Sequence, residues 1–166
     1  MSRAFVKEND QEEIPVLPPR AYLPDGLTNY VTQNGMNELL EEKQNLVNER
    51  EQLDIADDDE RRIAVNHINA KLQQLNDRIL TAKIIDLNAQ TEDEVWFGAT
   101  ITLRVDDEPE LQKYQIVGVD EADASKGKIS FISPIAKLLL GKEVGDKAIL
   151  KHAKEERTFE IVKIVY

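Results

Sequence analysis

The sequence predicts an α+β protein: an antiparallel α-helical hairpin of coiled-coil character, followed by a small sheet domain. Three observations carry this. Val65, Ile68, Leu72, Leu75, Ile79 and Ala82 recur at alternating steps of three and four, the seam spacing of a coiled coil. An acidic break, Asp54-Ile55-Ala56-Asp57-Asp58-Asp59-Glu60, separates that helix from a rougher one before it. From Val95 onward the apolar period changes from helical to that of strands.

Residues 1–29 read as an extended arm. Pro15, Pro18, Pro19 and Pro24 block regular structure, and Asp25-Gly26 signals a turn. Its apolar residues, Phe5 to Leu23, keep no period, so the arm drapes over the body or stays disordered. Residues 30–86 form the hairpin. Thr32 is suited to cap helix one, since its hydroxyl can accept from a free amide of the first turn. The helix runs to about Leu53, with Met36, Leu39, Leu40, Leu46, Val47 and Leu53 as its apolar face and Lys43 and Arg50 interrupting it. Asp57 can cap helix two, with Glu60 three residues on as in a capping box; Asp58 and Asp59 favour the same end of the helix dipole. Helix two ends near Lys83.

Asn88 to Glu94 is a polar hinge, and residues 95–166 form the sheet domain. Strands are expected at Phe97–Val105, Tyr114–Val119, Lys128–Ile132, Lys147–His152 and Thr158–Val165. Pro134 to Leu140 holds a short helix, with proline in the first turn and Gly141 ending it. Trp96 is expected to pack at the junction of the two units.

Charge and composition narrow the function. The 166 residues carry a net charge of -11 and no cysteine. Disulfides and thiolate metal sites are excluded, and free nucleic acid is a poor partner for so acidic a chain. A basic surface or a cation suits it better. No apolar run approaches a membrane span, and the N-terminus lacks the apolar stretch of a signal peptide, so a cytoplasmic protein is expected. No phosphate-binding glycine loop is present. Gly118, Gly127, Gly141 and Gly145 are scattered and suit turns. His67 and His152 lie in different units, and Ser133 has no neighbouring histidine to activate it. The sequence therefore holds no self-contained active site. What remains is the acidic tip, Asp57, Asp58, Asp59 and Glu60. It serves either to cap and balance helix two or to offer hard oxygen ligands to Mg²⁺ in a partner's phosphoryl-transfer site; alone it would hold the ion weakly.

The C-terminal unit resembles the bacterial Gre family of transcript cleavage and elongation factors. Phe97-Gly98-Ala99-Thr100, Tyr114-Gln115-Ile116-Val117-Gly118 and Asp120-Glu121-Ala122-Asp123 match the family's ordered motifs. Gly127-Lys128-Ile129-Ser130, Ser133-Pro134-Ile135-Ala136 and Leu140-Gly141-Lys142-Glu143-Val144-Gly145-Asp146 continue the series. Tyr30-Val31-Thr32 with Gly35 is similar to the opening of the family's hairpin, and Ile84-Ile85-Asp86 to its close. The resemblance implies an FKBP-like C-terminal domain and a factor that binds bacterial RNA polymerase at the mouth of its secondary channel. The hairpin would reach down toward the polymerase's catalytic Mg²⁺, and the tip would help the polymerase cut backtracked RNA. On that reading the chain is an accessory factor and not an enzyme. It has no cofactor of its own, meets DNA and RNA only through the elongation complex, touches no membrane and acts as a monomer.

Residue by residue, Ser133, Pro134, Ile135 and Ala136 correspond to the polymerase-docking loop. Ile132 stands where the family often has an acid or amide, which removes one polar contact. The family's Asp-Leu-Ser-Glu-Asn tip motif is absent, so Asp57, Asp58, Asp59 and Glu60 match by place and charge alone. The hairpin also looks shorter than the family's by roughly 15 residues, about two turns per helix, leaving the tip on the order of 10 Å short. That favours an alternative: a regulator that occupies the channel without strong cleavage. Two further readings differ in class. A prolyl isomerase would line its pocket with aromatics, and here Trp96, Phe97, Tyr114, Phe131, Phe159 and Tyr166 are spread along the chain. A module dimerising through its helices is opposed by Lys43 and Arg50 in the seam.

Overall fold

The structure, a computed structural model, describes residues 14–166. Strand β1 (Asn29–Val31) leads into helix α1 (Gln33–Glu51), which turns back as helix α2 (Asp58–Thr81). Strand β2 (Ala82–Ile84) follows α2 directly and pairs in parallel with β1. This small two-stranded clasp ties both feet of the hairpin together. It was not expected from the sequence, because three residues are too few to display a period.

The hairpin seam forms largely as its spacing predicts. Ile68, Leu72 and Leu75 of α2 are buried against Leu39 and Leu46 of α1, with Met36, Val47, Leu53, Ile79 and Ala82 flanking them. Leu40, expected on the apolar face, is instead 47% exposed. Leu39 takes the inward position, and the next residue on a helix points about 100° away. Leu53 lies beyond the end of α1, which stops when the amide of Gln52 bonds to Asn48 O. The polar interruption at Arg50 is used: its Nη1 donates to Asn69 Oδ1 of α2 at 2.7 Å.

The sheet domain holds β3 (Thr100–Val105), β4 (Leu111–Val117), β5 (Lys128–Ser130), helix α3 (Pro134–Leu139), β6 (Lys147–His152) and β7 (Glu155–Val165). The strand order is β5-β4-β3-β7-β6, antiparallel except for the parallel pair β4–β5. Ile101, Leu103 and Val105 of the central strand are fully buried, as their alternation predicts, with Ile116, Ile161 and Leu139 beside them. Strand ends differ from expectation: β3 begins at Thr100 rather than Phe97, β4 starts earlier at Leu111, and β7 starts earlier at Glu155. The last two are hairpin arms continuing past the buried core, where hydrogen-bonded pairing and not burial sustains the strand.

Two further expectations are corrected. Trp96 is 47% exposed and does not fill the junction. That place belongs to Tyr30, Phe97 and Phe131, whose ring centroids lie 5.6–5.9 Å apart in tilted and edge-on pairs. Gly118 does not serve a turn. A Cβ there would stand 2.5 Å from the carbonyl oxygen of Tyr30, so glycine permits the hairpin's first strand to lie against the sheet domain.

Candidate functional site

The tip. Asp57 caps α2: its side chain accepts from the amide of Glu60 at 2.9 Å. Asp58, Asp59 and Glu60 occupy the first turn, where the helix dipole favours anions. The four acids are exposed. Two of them are engaged within the helix. Arg61 Nη2 lies 2.6 Å from Asp58 Oδ1, and Arg62 Nη2 lies 3.5 Å from Asp59 Oδ1. Arg61 also donates from Nε to Ile55 O at 3.0 Å, bracing the turn. The sequence reading overlooked both arginines, although their spacing of three from the acids was a readable signal. No three acids or histidines among the described residues are grouped so as to hold a metal ion.

The loop Ser133–Ala136. Ser133 caps α3, its hydroxyl accepting from Ala136 N at 3.3 Å. Pro134 is exposed and Ile135 half-buried, while Ala136 is fully buried in the sheet-domain core. Of the four, Pro134 presents the most surface to a partner and Ala136 serves packing. Ile132 also leans on that core, so an apolar residue there has a local purpose.

The junction. The two candidate regions are held in one frame by a polar network that the sequence did not reveal. Thr32 accepts from Gly35 N at 2.9 Å, as expected of a cap, and also donates its hydroxyl to Glu121 Oε2 at 2.5 Å. Asn34 Nδ2 and Lys128 Nζ each donate to Glu121 Oε1 at 3.0 Å. The Glu121 side chain is 2% exposed, and three donors meet it. Burial works against the charge on Lys128, but its bond to Glu121 and the charges of Glu121 and Glu38 outweigh this and raise its pKa. Beside this, Arg20 of the arm donates to both oxygens of Glu42 and, through Nε, to Asp120 Oδ1. Asp120 and Glu121 lie in a motif that was legible in the sequence; their task was not, since their partners Arg20 and Thr32 lie about ninety to a hundred residues away.

A hairpin with acids at its free end, fastened at its base to a five-stranded α+β domain, defines a two-part hairpin-and-sheet protein whose acidic tip and Ser133–Ala136 loop lie on different units. Residues 90–166 match the C-terminal domain of the transcription elongation factors GreA/GreB. The likeness to the Gre family is thus carried by the C-terminal unit. The chain is 42% identical over 99 residues to the transcription elongation factor GreA of Hyphomonas neptunium, covering 60% of this chain and 63% of that protein. It is 44% identical over 100 residues to GreA of Halorhodospira halophila, again covering 60% of this chain and 63% of that one. The match thus spans under two thirds of the length of these relatives. The solved structure of the GreA factor homolog Gfh1 of Thermus thermophilus is 25% identical and covers 84% of this chain and all of that one, at a TM-score of 0.38. That superposition is too loose to transfer positions.

Proposed function

We propose that this chain is a transcription elongation factor that binds bacterial RNA polymerase at its secondary channel. There it rescues backtracked complexes by stimulating the polymerase's own RNA cleavage. The observation that carries this reading is the placement of Asp57, Asp58, Asp59 and Glu60 at the free end of a hairpin whose foot is bonded to a GreA/GreB C-terminal domain. The rim contact falls to the loop at Ser133, Pro134 and Ile135, with Ala136 shaping it from below. The factor supplies carboxylates; the Mg²⁺ and the active site belong to the polymerase. It works as a monomer in the cytoplasm and meets DNA and RNA only through the elongation complex. Among the described residues no helix is long and apolar enough to cross a membrane.

A second reading is favoured by a specific observation: Asp58 and Asp59 already face Arg61 and Arg62. Acids so paired present less free charge, which suits a plug that occludes the channel, as does a short hairpin. Transcript cleavage by backtracked complexes separates the two. Wild type raising cleavage, and the variant with Asp57, Asp58, Asp59 and Glu60 all changed to Ala abolishing it, establishes the first. No stimulation despite demonstrated polymerase binding establishes the second.

A further inference from the structure

We infer that the described part of the N-terminal arm, from residue 14 on, is a strap, and that Arg20 is the positioning residue through which it sets the direction of the hairpin relative to the sheet domain. The arm, α1 and the sheet domain meet at this one guanidinium, and α2 joins them through Asp120. Arg20 Nη1 and Nη2 grip the two oxygens of Glu42 in α1 at 2.8 and 3.0 Å, a bidentate pair. Its Nε reaches Asp120 Oδ1 of the sheet domain at 3.0 Å. Arg78 of α2 lies against the same aspartate, Nε to Oδ2 at 3.6 Å, and donates through Nη2 to the carbonyl of Ala21, the arm residue after Arg20. The arm, both helices and the sheet domain are thereby joined through two arginines and two acids.

The site is built for rigidity. The side chains of Arg20, Arg78 and Asp120 are only 20%, 15% and 7% exposed, so water screens these charges little. The Glu42 bond and the neighbouring acids raise the pKa of Arg20 against the opposing effect of burial. On either side of Arg20 the arm is anchored again. Pro15 and Leu17 border a cleft on α2 with Ala70, Gln73, Gln74 and Asp77, while Leu23 packs against the sheet-domain core. Pro15, Pro18, Pro19 and Pro24 stiffen the segment, lowering the conformational entropy lost when it is laid down.

The geometry explains why such a strap matters. A helix of 24 residues, the length of α2, is about 36 Å long at about 1.5 Å per residue. A rotation of about 10° at the foot would carry the tip about 6 Å sideways over that length. β1 and β2 tie the feet to each other, and Glu121 fastens the start of α1. Arg20 adds a second fixed point farther up the hairpin, at Glu42, which resists tilt. The consequence for aiming the tip rests on the function proposed above; the mechanical claim does not.

The chain has no cysteine, so two nitroxides can be placed cleanly at Ala56→Cys in the tip and Lys147→Cys on β6, both exposed. Their distance distribution is read by pulsed electron resonance on the full chain without polymerase. The result is therefore independent of whether cleavage is stimulated. The expected result is one narrow distance for the otherwise unchanged protein and at least a twofold broader distribution for Arg20→Ala. Arg20→Lys should resemble Arg20→Ala, because an ammonium cannot make the bidentate pair. Deleting residues 1–27 should broaden it equally, with helix content by circular dichroism accounting only for the residues removed. An unchanged width in Arg20→Ala overturns the assignment to Arg20, and an unchanged width in the deletion overturns the strap altogether.

Discussion

Thr32 Oγ1 lies 2.5 Å from Glu121 Oε2, so one hydroxyl caps the first helix of the hairpin and bonds the hairpin to the sheet domain. Few single side chains here link local and tertiary structure so directly. Losing it removes a cap, costing about 1 kcal/mol, and leaves a buried carboxylate one donor short, costing about 1–3 kcal/mol. Thr32→Val is therefore expected to lower stability by about 2–4 kcal/mol in urea unfolding, with Thr32→Ser restoring most of it. A Thr32→Val protein as stable as wild type would mean the bond contributes nothing net.

Gly118 sets how closely the two units approach. Adding a methyl group puts it 2.5 Å from Tyr30 O, which is backbone and cannot swing aside. Gly118→Ala should push β1 away, disturb the Tyr30–Phe97–Phe131 cluster and cost about 1–3 kcal/mol. Thermal melting measures the loss, and faster proteolysis at residues 24–31 would locate it.

Asp57 can be tested as a cap apart from any chemistry. Asparagine caps a helix about as well as aspartate, and alanine does so about 1 kcal/mol less well. Asp57→Asn should leave hairpin stability within a few tenths of a kcal/mol of wild type, while removing one tip charge. Under the proposed function it loses cleavage stimulation while Asp57→Ala loses both. Equal cleavage by Asp57→Asn and wild type would leave Asp57 a cap and nothing more.

Alkaline pH should loosen the fold at two places. Lys128 and Tyr166 have pKa values raised above their ordinary 10.5 and 10.0. For Tyr166 the main cause is burial, partly offset by its bond from the amide of Trp96. In both, the folded state binds the proton more tightly than the unfolded state does. Their contribution is thus complete below the unfolded pKa and fades as pH rises through the folded one. Stability should fall from about pH 10 upward, and the double variant Lys128→Met, Tyr166→Phe should show a flatter slope there. Parallel slopes in unfolding curves across that range would contradict the assignment.

The hairpin and the order of the sheet elements were legible because each rests on near neighbours in the chain. Steps of three and four in α2 name the buried stripe, Thr32, Asp57 and Pro134 announce helix starts, and alternation at Ile101, Leu103 and Val105 names a core strand. The motif Asp120-Glu121-Ala122-Asp123 was visible as a pattern, and the acidic tip as a place.

What tertiary structure alone decided was which distant groups meet. Nothing local distinguishes Arg20 or Glu42 from any exposed charge, and only the docking of α1 on the sheet domain turns them into a clasp with Asp120. The same holds for Trp96, which was expected at the junction and lies exposed, while Phe97 and Tyr30 pack together there. Period and capping follow from the geometry of a few consecutive residues. Contacts across ninety or more residues follow from how whole faces fit, and no single stretch of sequence contains that information.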